Sequence, residues 1–456
     1  MRSVMLQSLM LRISGSLSIS HNLGMRIIAL FAVSLLLAAC GTTATVNEET
    51  AVNSVSDVDE QPVKSEVVQF FLSDPAVVRL KLGVQRSGLE RRLIEASLEP
   101  QVTASSSLGA ASPDGDVEAA ATVQVGLTKD ADFNGLSSVR RKIIDHQEEI
   151  ARLSVLSKVN ERVFSILNSV LSTDAMDRKI ELIDAGLNEY ESVKGLIEAS
   201  QKVGAISKGK VLEIKNQVAE VQLLRSQFDL ARATERANFE IETGEASASV
   251  KRKLRAGVDE VISHRAYGEL DPSVIRINML SKLVLENNLS IEERVSEWSG
   301  NYSANVTSAR SEELTGFVGI QLFKPVYDAG QSQIRQELIL NQIDQSDLEL
   351  ADQEKKVKVA FEALKEAEKT LQIQTKLNSE KLDNLVKNQE ELEIRKAAGK
   401  ANLEEQAQGI VDIANARIKL IDLKLQFEKA KLEYLLLNQT LYSLVLNEDE
   451  VTQLLH

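Results

Sequence analysis

The positions of proline most constrain how this chain can fold. Residues 114–271 and 326–456 contain no proline, which leaves two tracts of more than 120 residues each. Proline inside a helix costs about 3 kcal/mol, so both tracts are free to form long helices. Apolar residues recur in them at helical spacing, and tracts this long are typical of coiled coils or helical repeats. One such series is Ile150, Leu153, Leu156, Val159 and Val163.

Composition excludes several functional classes. The chain has 456 residues and a formal net charge of −14, so it lacks the broad positive charge that nucleic-acid binding needs. Only 4% of its residues are aromatic, and its composition favours long helices. A single cysteine rules out disulfides within one chain, and the four histidines lack metal-ligand spacing. We therefore expect no cofactor and no metal site.

The N-terminal region predicts export and lipid anchoring. Residues 1–39 form a predicted signal peptide, with Met25 as an alternative start. Its apolar run, residues 27–37, is too short to span a membrane as a mature helix. The run ends in Leu-Ala-Ala-Cys, which resembles a lipobox with Cys40 as the lipidated first residue of the mature chain. Residues 40–65 are then a flexible tether, since they are polar and without apolar periodicity. The alternative is an ordinary signal peptide with a chance cysteine.

The sequence also repeats itself with an offset of 195 residues. Residues 123–129 match residues 318–324 at this offset. A constant offset over a long distance predicts a duplication with few insertions. The same offset relates Gly135 to Gly330, residues 143–144 to 338–339, and Gly204 to Gly399.

The duplication predicts a first structural repeat at residues 66–266, a second at 267–445 and a C-terminal tail at 446–456. Each repeat begins with a helix near an Asp-Pro pair, where proline is tolerated in the first turn. Two short strands, a helix of roughly 65 residues, a glycine-containing turn and a long returning helix follow. At about 1.5 Å per residue the long helix spans about 100 Å.

The predicted strands are residues 102–108 and 123–127 in the first repeat, and 302–306 and 318–322 in the second. Their alternating apolar and polar residues give each strand two different faces. Four strands cannot close a barrel, because about eight are needed, and open sheet edges invite pairing with another chain. Three copies would supply twelve strands. The predicted fold is thus mainly α with a small β part, in a homotrimer.

This order of elements resembles the TolC-like outer-membrane efflux protein family. The residues that carry the resemblance are the lipobox at Cys40, Asp74-Pro75, residues 98–102, residues 318–330 and the turns at Gly204 and Gly399. The resemblance implies a trimeric twelve-stranded β-barrel in outer-membrane lipid, continuous with a periplasmic α-helical barrel. It also implies a passive exit duct for efflux or type I secretion. The expected partners are a periplasmic adaptor and an inner-membrane pump of RND or ABC type.

The resemblance places the functional residues at the tips of the helical hairpins, which form the periplasmic entrance and the adaptor contact. An acidic ring from Glu404 and Glu405 would favour cations at a constriction, and Lys208 or Lys210 could pair with it. The alternative is that these are solvated turn charges of little energetic consequence. The expected tip residues are Gly204, Lys208, Lys210, Gly399, Lys400, Glu404 and Glu405. The expected strand-to-helix bends are at Gly135, Pro325 and Gly330.

No catalytic constellation is present: the sequence has no nucleophile elbow, phosphate-binding loop or His-Glu-x-x-His motif. We therefore expect no enzyme activity. Two other functions stay open at this point. A periplasmic adaptor lipoprotein would have one hairpin flanked by glycine-rich, lipoyl-like strands. A structural coiled-coil lipoprotein would lack the alternating segments.

Overall fold

The computed structural model describes residues 65–111, 118–132, 134–263, 272–295, 299–308, 314–323, 330–397 and 403–456. These residues fall into two units, a four-stranded sheet and a larger helical unit. The prediction of a mainly helical chain with a small β part is confirmed. The signal peptide, Cys40, the tether up to residue 64, Pro325, Gly399 and Lys400 lie outside the described residues.

Within the described residues, nine α-helices make up most of the helical unit. The helices α3 and α7 each contain 67 residues, and their first residues are 195 positions apart. No helix in the described residues has a stretch that is both long and apolar enough to span a bilayer. The helices are α1 (Glu66–Leu72), α2 (Pro75–Ser97), α3 (Leu136–Lys202), α4 (Lys208–Thr243), α5 (Ala248–Ser263), α6 (Ser273–Val295), α7 (Gln331–Ala397), α8 (Leu403–Leu437) and α9 (Glu448–Leu455), with a short 3₁₀ helix at Leu441–Leu444.

The sheet consists of β1 (Gln101–Ala111), β2 (Glu118–Ala131), β3 (Ser299–Ser308) and β4 (Leu314–Phe323). The strands are antiparallel in the order β1-β2-β3-β4, so β1 and β4 are the edges. Each strand contains one of the four segments predicted from alternation. The predicted strands were each short by four to nine residues, because the observed strands extend into mainly small and polar residues that carry little apolar signal.

The register gives the sheet two different faces. Leu127 pairs with Val102 on one side and with Ala304 on the other, and Tyr302 pairs with Ile320. Their neighbours along each strand point to the opposite face, where Thr103, Gly126, Ser303, Asn305 and Gln321 lie. The first face is mainly apolar and exposed, and it also carries the exposed Lys129, which pairs with Tyr302. Its exposed large apolar residues are Val102, Leu127, Tyr302, Val306, Val318, Ile320 and Leu322.

The Asp-Pro pair starts α2 as predicted. The Asp74 side chain accepts a hydrogen bond of 2.8 Å from the Ala76 N–H, and Pro75 occupies the first helical position. Arg162 of α3 forms an ion pair with Asp74 at 3.2 Å, and its guanidinium lies 4.3 Å from the centre of the Phe70 ring. The start of α2 is thereby attached to the middle of α3.

The long helices form a row. Helix α3 packs against α4 and α8, and α8 packs in turn against α7, which gives the order α4-α3-α8-α7. The main apolar core lies where α1, α2, α5 and the C-terminal segment pack on α3, around Val159, Val163 and Leu167. A smaller core joins α3, α4 and α8 near the far end of the row, around Tyr190, Ile214 and Ile410.

The C-terminal tail ends in a helix that is part of the main core. Leu454 of α9 is fully buried, and the buried Lys81 ammonium donates to the carbonyl oxygens of Leu454 and Gln453 at 3.0 and 3.3 Å. Glu450 accepts hydrogen bonds from Lys253 at 2.8 and 2.9 Å and from Ser65 at 2.6 Å. The helix α9 thus joins α2, α5 and the first described residue of the chain.

We predict that Glu450→Gln lowers the free energy of unfolding by about 1.5–3 kcal/mol at neutral pH, the usual contribution of hydrogen bonds to a charged group. Burial would raise the pKa of Glu450, but hydrogen bonds from Lys253, Ser65 and the Asn447 N–H hold it below its ordinary value. The carboxylate is therefore stabilising above its unfolded-state pKa. That contribution is lost as the pH falls through the folded-state pKa.

Denaturant unfolding of wild type and variant at pH 7 and at pH 3 measures this effect. The two proteins should differ at pH 7, and the difference should be smaller at pH 3. The matched control is Glu448→Gln, because Glu448 is exposed in the first turn of the same helix. It should change stability by less than about 0.5 kcal/mol. An equal loss from Glu450→Gln at both pH values would contradict the role given to the carboxylate.

Candidate functional site

The first hairpin consists of α3 and α4, and its tip is closed by Gly204. This glycine has φ of +74°, a conformation that other residues adopt only with strain. Its N–H donates to the Gln201 carbonyl at 3.1 Å, and the Ala205 N–H donates to the Ser200 carbonyl at 2.8 Å. These two bonds form a Schellman motif, which satisfies carbonyls at the end of a helix. The tip is therefore a defined turn.

Two predicted site lysines lie just after this turn. Ser207 caps α4 by accepting a hydrogen bond of 3.3 Å from the Lys210 N–H. Lys208 and Lys210 are exposed in the first turn of α4. Positive charge is unfavourable there because a helix N-terminus is itself positive. Lys210 Nζ lies 3.0 Å from Glu213 Oε2 in the same helix, which offsets part of that cost.

The second hairpin consists of α7 and α8, and its acidic residues occupy the equivalent place. Glu404 and Glu405 are in the first turn of α8, where negative charge interacts favourably with the helix dipole. Glu405 is exposed and lies 195 positions after Lys210. The two hairpins thus carry opposite charges at this one equivalent position.

A cleft near the tips brings Lys210 and Glu405 to one place. It has a volume of about 530 Å³ and is lined by residues of α4, α7 and α8, among them Arg395 and Asp412. Lys208 is not among its lining residues. The structure therefore brings Lys210 and Glu405 to one cleft within a single chain. The side chain of Glu404 lies outside what the structure describes.

The walls of this cleft also contain side-chain amides that sequence analysis missed. Gln217 of α4 donates to Gln408 of α8 at 2.9 Å, and Gln408 donates to Asp412 at 3.0 Å. The amide of Gln389 in α7 is buried and has no hydrogen-bond partner in the part of the chain that the structure describes. It lies against Gly409, where a Cβ atom would collide with it. Glutamine on a helix carries no positional signal, so only the packing of three helices identifies this group.

The two bend glycines both precede a long helix. Gly135 caps α3 with φ of +63°, and Gly330 precedes α7 with φ of +80°. Arg294 of α6 donates to the carbonyl of Asn134 at 2.8 Å, and a Cβ atom on Gly135 would lie 3.2 Å from that guanidinium. The conformation and the close contact together explain the glycine at 135.

Ion pairs join the two helices of the first hairpin. Arg225 of α4 bridges Asp184 of α3 and Asp229 at 2.5 and 2.6 Å. Arg232 bridges Asp229 and Asp177 at 2.6 and 3.1 Å. The hydrogen bonds from Arg225 also hold the pKa of Asp184 below its ordinary value. The result is an alternating ladder of charges between α3 and α4.

The second hairpin lacks this ladder. At an offset of 195 from Asp177, Asp184, Arg225 and Arg232 the sequence has Gln372, Ser379, Leu420 and Phe427. None of these four residues carries a charge. The first hairpin is therefore fastened by ion pairs, whereas the same positions of the second hairpin contribute none.

The edge helix α4 carries an apolar stripe with no partner among the described residues. At about 100° per residue, the four exposed apolar residues of the stripe lie within about 20° of one another around the helix. The arginines that face α3 lie on the opposite side. The stripe consists of Leu212, Leu223, Leu230 and Ile241.

The other edge helix, α7, has a stripe of its own. Five of its exposed apolar residues fall within about 60° around the helix. Among the described side chains of α7, Val357 and Leu371 are the buried apolar ones. Exposed apolar surface of this extent is typical of a protein–protein interface. The stripe consists of Ile334, Leu348, Val359, Ile373 and Leu377.

The sequence matches no known family model and no curated protein. Three solved structures nevertheless share the fold. A membrane protein from Pseudomonas aeruginosa is 14% identical with a TM-score of 0.64, and the match covers 84% of this chain and 92% of that one. The CmeC outer membrane channel of Campylobacter jejuni is 11% identical with a TM-score of 0.61, covering 82% and 85%. The outer membrane protein VceC of Vibrio cholerae is 12% identical with a TM-score of 0.60, covering 80% and 95%.

The chain has the TolC-like outer-membrane channel fold. The match extends along most of both chains. The TolC-like fold agrees with the resemblance drawn from the sequence. It disfavours the coiled-coil alternative, which has no sheet, and the adaptor alternative, which has one hairpin.

We predict that Gly204→Ala destabilises the tip by about 1 kcal/mol, because alanine at φ of +74° is strained. No atom lies within 4 Å of a Cβ added there, so the effect would come from the backbone alone. Hydrogen exchange of the last turn of α3 should become faster. The control is Gly195→Ala inside α3, where the added Cβ also meets no atom.

Gly195→Ala should have the opposite effect on stability. It should slow hydrogen exchange in α3 by the equivalent of about 0.5–1 kcal/mol. Faster exchange in both variants, or in neither, would contradict the structure assigned to the tip.

Proposed function

We propose that the chain is the outer-membrane exit duct of an export system and works as a homotrimer. The proposal rests on one observation: the sheet and the row of helices each have two edges at which a second copy of the chain could bind. In the described sheet β1 and β4 each have one neighbouring strand. In the row of helices, α4 and α7 expose their apolar stripes. A single copy therefore leaves the sheet edges and the apolar stripes uncovered, and further copies of the chain could cover both.

The sheet edges support closure into a barrel. Because four antiparallel strands are an even number, β1 and β4 run in opposite directions. Strand β4 of one copy can therefore pair with β1 of the next in the same antiparallel pattern. Three copies supply twelve strands, above the roughly eight that a filled barrel needs, so a lumen is left open. The apolar face would contact lipid, and the hydroxyl and amide face would line the lumen.

The helical edges support the same arrangement. When the α4 stripe of one copy packs against the α7 stripe of the next, both apolar surfaces become buried. Contacts between two different surfaces generate a ring if the rotation closes. Three copies of the four-helix row would give a helical barrel that forms the periplasmic part of the duct.

The hairpin tips are the proposed periplasmic entrance. The cleft that contains Lys210 and Glu405 is the proposed contact for a periplasmic adaptor, which links the duct to an inner-membrane pump of RND or ABC type. The duct itself is passive and not an enzyme, so the pump supplies the energy for efflux or secretion. CmeC is an outer membrane channel and VceC is an outer membrane protein, which supports the proposed location.

Acylation at Cys40 is the proposed anchor in outer-membrane lipid. Each buried methylene of an acyl chain contributes about 0.8 kcal/mol to membrane binding, so two or more chains hold a protein firmly. Mass spectrometry of the mature N-terminus tests this proposal: an unmodified residue other than Cys40 at the N-terminus excludes it.

We predict that Leu230→Glu disrupts the trimer. Leu230 is 71% exposed in the single chain and lies in the middle of the α4 stripe. A carboxylate buried at an interface without a partner loses its hydration. Light scattering of the purified protein in detergent should show a trimer for wild type and a monomer for the variant. The control is Gln222→Glu, which adds the same charge about 80° away from the stripe and should remain trimeric.

A wild-type protein that is monomeric with an intact sheet would overturn the duct proposal. If the Leu230→Glu variant is still a trimer, α4 is not part of the interface between copies.

We also predict that replacing Glu404 and Glu405 together by Lys increases the resting conductance of the trimer in planar bilayers. In the proposed closed entrance these acids face the lysines of α4, so the exchange replaces attraction by repulsion within a narrow mouth. Block by divalent cations should weaken, and the yield of trimer should stay the same. If conductance and block by divalent cations are both unchanged, Glu404 and Glu405 are solvated charges of the tips and do not control the entrance.

A further inference from the structure

A lysine marks one end of the apolar face of the sheet. Lys129 lies near the end of β2 that leads to α3, and it is exposed on the same face as Leu127. Its cross-strand partner is Tyr302 of β3, which is 46% exposed. Side chains of such partners have Cβ atoms about 5 Å apart. An ammonium group and a phenol hydroxyl are therefore available at one place on this face.

The position of Lys129 along β2 matches the edge of a lipid bilayer. The uncharged residues 119–128 separate it from Glu118, and this is the length of about 9–11 residues that a strand needs to cross the hydrocarbon core. A lysine on the lipid face is strongly unfavourable at the bilayer midplane and nearly neutral at the interface. In a barrel within a membrane, Lys129 and Tyr302 therefore lie at the depth of the lipid headgroups.

The sequence duplication preserves this lysine. The offset of 195 residues pairs Lys129 with Lys324, which directly follows β4 and lies outside the described residues. The sequences of β1, β3 and β4 themselves contain no charged residue. Positive charge is thus placed at the same end of the second strand of each repeat and is kept out of the strand interiors.

The neighbours of Lys129 and Tyr302 within the sheet suit both parts of a lipid. Towards the strand ends, the next pair on this face is Ala131 with Gly300, and these small residues leave space for a headgroup. In the other direction, Leu127 pairs with Ala304, and Ala304 pairs with Val318. The small Ala304 therefore lies between two larger apolar residues that are exposed, as an acyl chain requires.

We propose that Lys129 and Tyr302 bind the phosphate group of a phospholipid in the periplasmic leaflet of the outer membrane. The ammonium and the phenol hydroxyl both donate hydrogen bonds to phosphate oxygens, and hydrogen bonds to a charged acceptor are the strong ones. The acyl chain lies on Leu127, Ala304 and Val318. The proposal rests on the proposed function, because it needs the sheet to be in lipid with the helical unit on the periplasmic side.

Native mass spectrometry of the purified trimer with added lipid tests the site. Phosphatidylglycerol and diacylglycerol are used with identical acyl chains, so that only the first carries a phosphate. Wild type should retain phosphatidylglycerol about tenfold better, the usual effect of a hydrogen bond between charged groups. Lys129→Gln should abolish this preference and Lys129→Arg should restore it. Tyr302→Phe, which removes only the hydroxyl, should reduce the preference by about threefold.

The matched control is Lys358→Gln. Lys358 is also exposed, but it belongs to α7 and not to the sheet. Its replacement removes the same charge and should leave the preference for phosphatidylglycerol at the wild-type value.

Equal retention of the two lipids by wild type, or an unchanged preference in Lys129→Gln, refutes the lipid site while the duct stands. Displacement of phosphatidylglycerol by equimolar inorganic phosphate also refutes it, because a free anion would then bind as well as the lipid. A wild-type protein that is monomeric and does not insert into phospholipid vesicles removes the duct, and the lipid site with it.

Discussion

The helical unit depends on the packing of α3 against its neighbours. A single helix of any sequence gains little stability in water from its own hydrogen bonds, so most of its stability comes from an apolar face buried against other elements. In α3 that face includes Val155, Val159, Val163 and Ile166, all fully buried. Towards the tips the packing changes to α4 and α8. Because α3 and α8 occupy the centre of the row, α4 and α7 become its edges. The proposed contacts between copies follow from that order.

The sequence allowed the order of the elements to be predicted because their ends are set by local chemistry. Asp74 caps the start of a helix and Pro75 fits its first turn, and the positive φ of Gly204 favours a glycine. The C-terminal helix α9 was missed, since Lys81 and Glu450 are far apart in sequence and meet only in the folded chain. The cleft was missed for a similar reason: the positions of Gln217, Gln389 and Gln408 depend on how two hairpins pack together.

The edge stripes lay within reach of sequence analysis. Leu212 and Leu230 are 18 residues apart, as are Leu223 and Ile241, and 18 residues complete five turns of an α-helix. Ordinary amphipathic analysis seeks one apolar face, but α4 has two: one side forms ion pairs and apolar contacts with α3, and the other carries the stripe. The sequence does not show which face is covered within the chain. That distinction needs the structure.

The core around α1 has a consequence for how the protein is made. Ser65 hydrogen-bonds to Gln453 and Glu450 across 388 and 385 positions of sequence, and Phe71 is fully buried in the same core as Leu441 and Leu454. Helix α1, the first of the described helices, therefore cannot complete its packing until the last residues have been synthesised. Folding of this core is a post-translational event. A chain that terminates before residue 441 would leave Phe71 and Val68 without part of their cover, which marks the truncated product for proteolysis rather than assembly.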